Sequence, residues 1–326
     1  MMNLRILYHG HCFDGVASAA TFTRFYQTKI NPDVNISYTG LVHRPNNLLF
    51  DSEMFETGES AIVDFKYAAS DKLTWWFDHH QSAFLSAEDE AHFEHSPHGK
   101  ASGKKFWDAS RKSCCEFIYD TLHADFDFTD DTLASLIHWA HVIDGAFYTS
   151  PAQAVELREP ALQLMQVIES TVGDEFNEHI IRELTHTDLI AVAESNDVQA
   201  RFRPIYDAHL ATLELVRRNA TLTHNVIHFD LVDDDIEGFN KFIPYHLHPE
   251  ATYSVAVTRG SARTKISVGS NPWSPIPRTH NIAQICERFG GGGHPVVGAV
   301  SFKPDEVARA REVANQIVAE LSAVTL

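Results

Sequence analysis

The sequence predicts an α/β protein with an N-terminal domain built on a parallel sheet, a helical connector, and a smaller C-terminal α/β domain. Three observations carry this reading. Short apolar runs alternate with helical patterns through the first third of the chain, the signature of a parallel sheet. The middle, from about Ser113 to Asn219, reads as almost continuous helix, and strand patterns then return before a charged terminal helix. At 326 residues the chain also exceeds what one ordinary core accommodates. The boundaries that follow are 1–190 for the first domain, 191–224 for the connector and 225–326 for the last domain.

Taken in order, LRILYH is the first strand, and a helix from about Gly15 to Tyr26 follows it. VNISYTGL, SAIVDF and LTWWFDHH are three further strands, rich in β-branched and aromatic residues. The polar stretch from about Ala87 to Lys105 reads as a loop over the sheet edge. SCCEFIYDTL, DDTLASLIHWAHVI and AQAVELREPALQLMQVIEST are helical, and LIAVAESNDVQARFRPIYDAHLATLELVRRN forms the connector. In the last domain NVIHFDLV, ATYSVAVTRG and TKISVGSN are strands, and PDEVARAREVANQIVAEL closes the chain. No internal repeat is visible.

Composition narrows the function. No run of 18 apolar residues occurs, so no membrane span is expected, and the apolar stretch in MMNLRILYHGHC is too short for a signal peptide. A cytoplasmic protein is the expectation. Cys12, Cys114, Cys115 and Cys286 form no CxxC pair, which points to reduced thiols and away from a cysteine-built zinc site. A formal charge of −18 argues against a protein that coats long nucleic acid. It is compatible with a small phosphorylated substrate such as a short nucleotide, because two divalent cations bring about four positive charges locally. Whether the chain forms a homodimer is open. With 20 histidines present, an isolated histidine carries little weight.

Four motifs do carry weight. His9-Gly10-His11-Cys12-Phe13-Asp14-Gly15 follows the first strand, Asp64 ends SAIVD, Asp78-His79-His80 ends LTWWF, and Asp144-Gly145 follows LASLIHWAHVI. Open α/β sheets place ligands at the C-terminal ends of their strands. Carboxylates and imidazoles without thiolates suit Mn²⁺, with Mg²⁺ and Fe²⁺ in the same class. Two such ions ~3.5–4 Å apart, sharing one carboxylate, suit a phosphoryl displacement, and Asp64 lies between the other motifs in chain order. Each motif also has a plain reading: a strand-end Asp often caps a helix, and His138 and His141 read as ordinary helical histidines. The co-occurrence of four motifs in one α/β half outweighs it.

A second signal is the run Gly290 to Gly293 followed by His294. Consecutive glycines let backbone N–H groups approach an anion closely, although a glycine run is also the usual composition of a flexible linker. ICERF before it and PVVGAVSF after it place the run between a helix and a strand, as a shaped and buried loop. In SNPW, Asn271 and Trp273 are candidates for contacting a base or sugar, unless Asn-Pro simply marks a turn.

HGHCFDGVASA, VDF, FDHHQS and VIDG, in that order, resemble the four motifs of the DHH phosphoesterase superfamily. ERFGGGGHPVVGAVSF resembles the signature of the DHH-associated C-terminal domain, so the resemblance spans nearly the whole chain. It implies that Asp14, Asp64, His79 and Asp144 hold metal, with Asp64 bridging, and that His80 faces the substrate phosphate. Asp78 would orient an imidazole. His9 would serve the other ion, where Cys12 replaces the family's first aspartate and His11 or the Cys12 thiolate is the alternative donor. Gly291, Gly292, Gly293 and His294 would grip a phosphate. Gly269 stands near the place of an arginine found in many relatives, which leaves Arg259, Arg263, Lys265 and Arg278 as nearby cations. The implied function is a Mn²⁺-dependent phosphodiesterase using activated water on short oligonucleotides or dinucleotides. A polyphosphate or other phosphoanhydride hydrolase is the alternative of the same class, and a non-catalytic nucleotide or metal sensor the alternative of another.

Overall fold

The computed structural model describes residues 2–43, 49–55, 58–171, 173–234, 236 and 238–323. It divides into two compact units, Met1–Tyr148 with Arg158–Arg203, and Thr149–Leu157 with Pro204–Leu326.

In the first unit the elements run β1 (Asn3–His9), α1 (Phe13–Phe25), β2 (Asn35–Leu41), β3 (Glu59–Val63), β4 (Trp75–Asp78), α2 (Ala87–His95), β5 (Lys105–Trp107), α3 (Cys114–Phe126) and α4 (Ala134–Asp144). All five strands pair in parallel, in the order β2-β1-β3-β4-β5. The central strands are buried on both faces, with Ile6, Leu7, Ala61, Ile62, Trp75, Trp76 and Phe77 all fully inaccessible, which is why they read as continuous apolar runs rather than alternating ones. The strand order reverses direction between β1 and β3. Open sheets have their ligand crevice at such a switch point, beyond the carboxyl ends of the strands.

Helix α1 leaves β1 and packs close. A Cβ on Gly15 would lie 2.2 Å from the His9 carbonyl oxygen, so glycine is what lets the first turn of the helix fold back on the strand end. The helices α6 (Pro160–Ser170), α7 (Glu175–His186) and α8 (Leu189–Ala193) complete this unit. The short α5 (Pro151–Glu156) belongs to the second unit, and the division between units falls at Pro204 inside α9 (Asn196–Asn219).

The expected loop over residues 87–105 is instead helix α2 followed by strand β5. The Ser86 hydroxyl accepts from the Asp89 amide, and Glu88, Asp89 and Glu90 fill the first turn, a favourable N-terminus for a polar helix. One apolar residue, Phe93, anchors it, packed edge-on to Trp76 and Tyr67. A single buried ring is too sparse a pattern to signal a helix in sequence. β5 is obscured for a different reason: its buried residue is Lys105.

The second unit continues with β6 (Thr221–Thr223), β7 (Val226–Asp230), α10 (Ile243–Leu247), β8 (Tyr253–Arg259), β9 (Thr264–Ser270), α11 (Ile282–Glu287), β10 (Gly292–His294), β11 (Val297–Phe302) and α12 (Val307–Ser322). Its six strands are ordered β10-β11-β9-β8-β7-β6, with β7 and β8 parallel and the other pairs antiparallel. Val255, Val257, Ile266, Val268 and Val300 form its core with Val313, Ile317 and Leu321 of α12, which recur at helical spacing. No helix among the described residues is long and apolar enough to cross a membrane.

Lys105 generates a test of this packing. Its side chain is almost inaccessible; Nζ donates to the Tyr67 hydroxyl (3.3 Å) and the Ser70 carbonyl (3.5 Å), and no carboxylate is within ion-pair distance among the described residues. Burial pulls its pKa down from 10.5 to about 8. Between those values the unfolded chain binds more protons than the folded one, so stability rises with pH by about 1.4 kcal/mol per unit. K105M is therefore expected to be more stable than the wild type at pH 7, with the gap closing as the pH rises above about 8. Urea melts across that range check it; a gap that does not change with pH would refute it.

Candidate metal centre

The site is assembled at the carboxyl ends of β1, β3 and β4. His9 is the last residue of β1. The chain then turns through His11, in the left-handed region (φ 58°), and the extended Cys12 before α1 begins at Phe13. Asp14 thus sits in the first turn of α1, buried, and its carboxylate accepts from the amides of Cys114 (2.6 Å) and Cys115 (3.1 Å) at the start of α3. A carboxylate at a helix N-terminus meets both unpaired amides and a favourable dipole.

Asp64 follows β3 directly and has φ 57°, a conformation that costs most L-residues energy. Its amide donates to the Phe77 carbonyl of β4 (2.9 Å), which holds the turn in place. Asp78 ends β4, and one of its oxygens accepts from the amides of His79 (2.9 Å) and His80 (3.3 Å) and from Nδ1 of His80 (2.7 Å). That single oxygen folds the chain so that both imidazoles project from the strand end. His79 Nδ1 donates to the Arg111 carbonyl (3.2 Å), which leaves its Nε2 facing Asp64 (3.4 Å), Asp144 (3.5 Å) and Asp14 (3.8 Å). Asp144 is the last residue of α4 and is partly exposed.

The potential ligand atoms fall into two groups, Asp14 with His79 and Asp144, and His9 with Asp64 and His80; within each, the donor atoms lie within 4.8 Å of one another. Asp64 faces both. Its Oδ2 lies 3.2 Å from His9 Nδ1, and its Oδ1 lies 3.4 Å from His79 Nε2.

The electrostatics ask for cations. Asp14, Asp64 and Asp78 are buried close together, yet Asp64 Oδ1, Asp78 Oδ2 and His79 Nε2 have no hydrogen-bond partner among the described residues. Buried polar atoms are normally paired, so these three are left unmet. Burial and the charges of Asp64 and Asp144 push the Asp14 carboxyl well above its ordinary range, and burial and Asp64 raise Asp144. Burial would raise Asp64 too, but the neighbouring imidazoles of His79 and His9 hold it below. For His79 burial works downward, and is outweighed by the neighbouring carboxylates of Asp64, Asp14 and Asp144. Divalent cations fit this set, being hard ions for oxygen and imidazole donors.

His11 and Cys12 fall outside both groups, whereas His80, expected to stand towards substrate, falls inside one. The Arg111 carbonyl and the Cys114 and Cys115 amides support the site without having been anticipated. The signal was present: Ser113 and Glu116 have capping-box spacing, and the Ser113 hydroxyl accepts from the Glu116 amide. His141 is a satisfied helical histidine, bonded to Glu116 (2.8 Å) and stacked on Phe147.

In the second unit the glycine run is shaped but not buried. Gly292–His294 form the edge strand β10, and His294 is exposed. A Cβ on Gly291 would meet the Ala299 oxygen at 2.1 Å, and one on Gly293 (φ 152°) the Val297 oxygen at 2.2 Å. The glycines thus serve close backbone approach within the hairpin, and an edge strand has one side uncovered. Arg259 is not brought to this run: it pairs with Thr264, which pairs with Phe302, whereas β10 pairs with Val297–Ala299 at the other end of β11. Asn271 is buried; its amide donates to the Pro249 and Ala251 carbonyls while its oxygen accepts from the Trp273 amide, so it holds the turn and offers no donor to a ligand. Trp273 packs against Phe242. A cation beside the run is Arg278, which donates to the Pro295 carbonyl (2.9 Å).

No family model and no curated protein matches the chain. Solved structures do. A pGpG-specific phosphodiesterase, PggH from Vibrio cholerae, superposes with a TM-score of 0.69 at 17% identity, covering 98% of this chain and 99% of that one. The DHH domain of a member of the s1p family of ribosomal proteins gives 0.56 at 13% identity, covering 99% and 88%. RecJ from Thermus thermophilus, in complex with Mn²⁺, gives 0.55 at 13% identity; this chain, 98% covered, spans 52% of it. The fold is the one shared by these proteins, as the motif resemblance implied.

The position of Asp64 predicts two separable effects. D64N and D64A both remove the carboxylate that faces members of both groups, and each is expected to weaken divalent-cation binding at least about 100-fold in calorimetric titrations. Alanine tolerates the left-handed turn less well than asparagine, so D64A should melt below D64N by about 1 kcal/mol. Equal stabilities would show that the turn carries no such strain.

Proposed function

We propose that this protein, which shares its fold with a pGpG-specific phosphodiesterase, is a metal-dependent phosphodiesterase acting on short nucleotides, with linear dinucleotides as the preferred class and Mn²⁺ as the cation. The observation that carries the reading is the placement of Asp64, whose two oxygens lie beside His9 and His79, one imidazole from each donor group, at the switch point of a parallel sheet. A shared carboxylate between two cation sites is the arrangement that phosphoryl displacement uses.

Asp14, Asp144 and His79 would hold one cation and His9 the other, with Asp64 common to both. Bound there, divalent cations would lower the pKa of a water and draw charge from the phosphoryl oxygens. The protein's own contribution is orientation. Asp78 fixes His80 through Nδ1, the Arg111 carbonyl fixes His79, and the α3 amides fix Asp14. Positions held this tightly need little reorganisation when charge develops on a phosphate. In the second unit, the exposed edge of β10, His294 and Arg278 offer donors for an anionic group. The chain's charge of −18 favours a short substrate over a long polyanion.

Incubation with 5′-labelled pGpG and Mn²⁺ is expected to release mononucleotides. Chelation with EDTA should abolish turnover, and added Mn²⁺ should restore it. D144N is expected to lower kcat at least about 100-fold, as a ligand loss would. Undiminished turnover after chelation would sink the mechanism, and phosphate release from polyphosphate with none from dinucleotides would replace the substrate class.

A further inference from the structure

We infer that His80 is a ligand of the second cation site, completing with His9 and Asp64 the set that lacks a carboxylate where Cys12 stands. The inference rests on the metal-binding reading above and assigns His80 a coordinating position in place of a substrate contact.

Three observations converge on it. A ring nitrogen of His80 shares a common region with donor atoms of His9 and Asp64, all within 4.8 Å of one another, and neither His11 nor Cys12 joins either group. The second is the partner of the imidazole. Nδ1, which lies 3.9 Å from Asp64 Oδ1, donates to Asp78 at 2.7 Å, and Asp78 is fully buried, so the tautomer is set and Nε2 is the nitrogen left for a ligand. An imidazole whose other nitrogen donates to a buried carboxylate is the usual arrangement of a metal-bound histidine. The third is Asp64 Oδ1, which lies 3.9 Å from His80 Nδ1 and 3.4 Å from His79 Nε2 and is buried without a hydrogen-bond partner among the described residues. An unpaired carboxylate oxygen beside two fixed imidazoles marks a cation position more specifically than acidity alone.

The two sites then differ in chemistry. One offers Asp14, Asp144, Asp64 and His79, three carboxylates and one imidazole. The other offers His9, His80 and Asp64, two imidazoles and one carboxylate. Imidazole-rich sets rank first-row ions in the order in which Co²⁺ exceeds Mn²⁺, while carboxylate-rich sets suit Mn²⁺ and Mg²⁺. The His80 site should therefore prefer Co²⁺, and the Asp14 site should accept Mn²⁺ readily.

Calorimetric titration of the metal-stripped full chain with Co²⁺ and with Mn²⁺ tests this without reference to turnover. The wild type is expected to bind two ions, one of them with a marked preference for Co²⁺. H80Q should lose that site, weakening it at least about 100-fold, and keep the other within about threefold. D78N should weaken the same site by about 10–100-fold through loss of the orienting carboxylate. H11Q should leave both unchanged. His80 is 37% exposed, so its replacement should be tolerated; thermal melts of the metal-free proteins verify folding, and H80N serves in place of H80Q if that variant does not fold. Two ions bound by H80Q with wild-type affinities would overturn the proposal, as would a single wild-type ion that H80Q retains. Retention of both ions by D64N would instead overturn the metal-binding reading itself, so the two failures are distinguishable.

Discussion

The constraint on which the first unit depends is the burial of the Asp64 carboxylate between two sets of imidazole and carboxylate groups. A buried carboxylate beside Asp14, Asp78 and Asp144 is unfavourable by itself, since like charges at short range in a poorly solvated site repel strongly. His9 offsets part of this through a hydrogen bond to Oδ2 of Asp64, and the His79 imidazole stands 3.4 Å from Oδ1. The remainder is left as unmet acceptors. A fold that keeps such a set must recover the energy elsewhere, and divalent cations are the groups that satisfy several carboxylates at once.

The backbone is arranged to serve this. Asp64 adopts a left-handed conformation immediately after β3, and an apolar sheet core of Trp75, Trp76, Phe77 and Ile62 fixes the strands that hold it. Gly15 lets α1 lie against the end of β1, which brings Asp14 and His9 to the same rim. Strain at a functional position and dense packing beneath it belong together, because only a rigid support keeps a costly conformation populated.

How much of this was legible in sequence differs by level. The strands β1 to β4 and the candidate ligand motifs at their ends were plain, because buried parallel strands read as apolar runs and those motifs sit where the runs stop. β5 and α2 were hidden, one by a buried lysine and the other by a helix anchored on Phe93 alone. In the second unit Arg259 and Asn271 looked accessible to a ligand only because sequence proximity ignores register and hydrogen bonding. The register places Arg259 at the far end of β8, and Asn271 spends its amide on the Pro249 and Ala251 carbonyls. The tautomer of His80 was out of reach because sequence gives adjacency but not which ring nitrogen remains free. That followed only from its 2.7 Å bond to Asp78.

Charge decides what such a site can recognise. Asp14, Asp64, Asp78 and Asp144 carry charge sufficient to balance two divalent cations, so a filled centre would be close to neutral overall. Attraction for a phosphate would then come from open coordination positions at short range, and would fall off within a few ångströms. A chain of net charge −18 adds a long-range field opposing any polyanion. A substrate with many phosphates meets that field along its whole length, whereas one with one or two phosphates meets it weakly and gains the short-range contacts in full. The acidity of the chain and the neutrality of a filled centre would therefore act in the same direction, favouring short substrates.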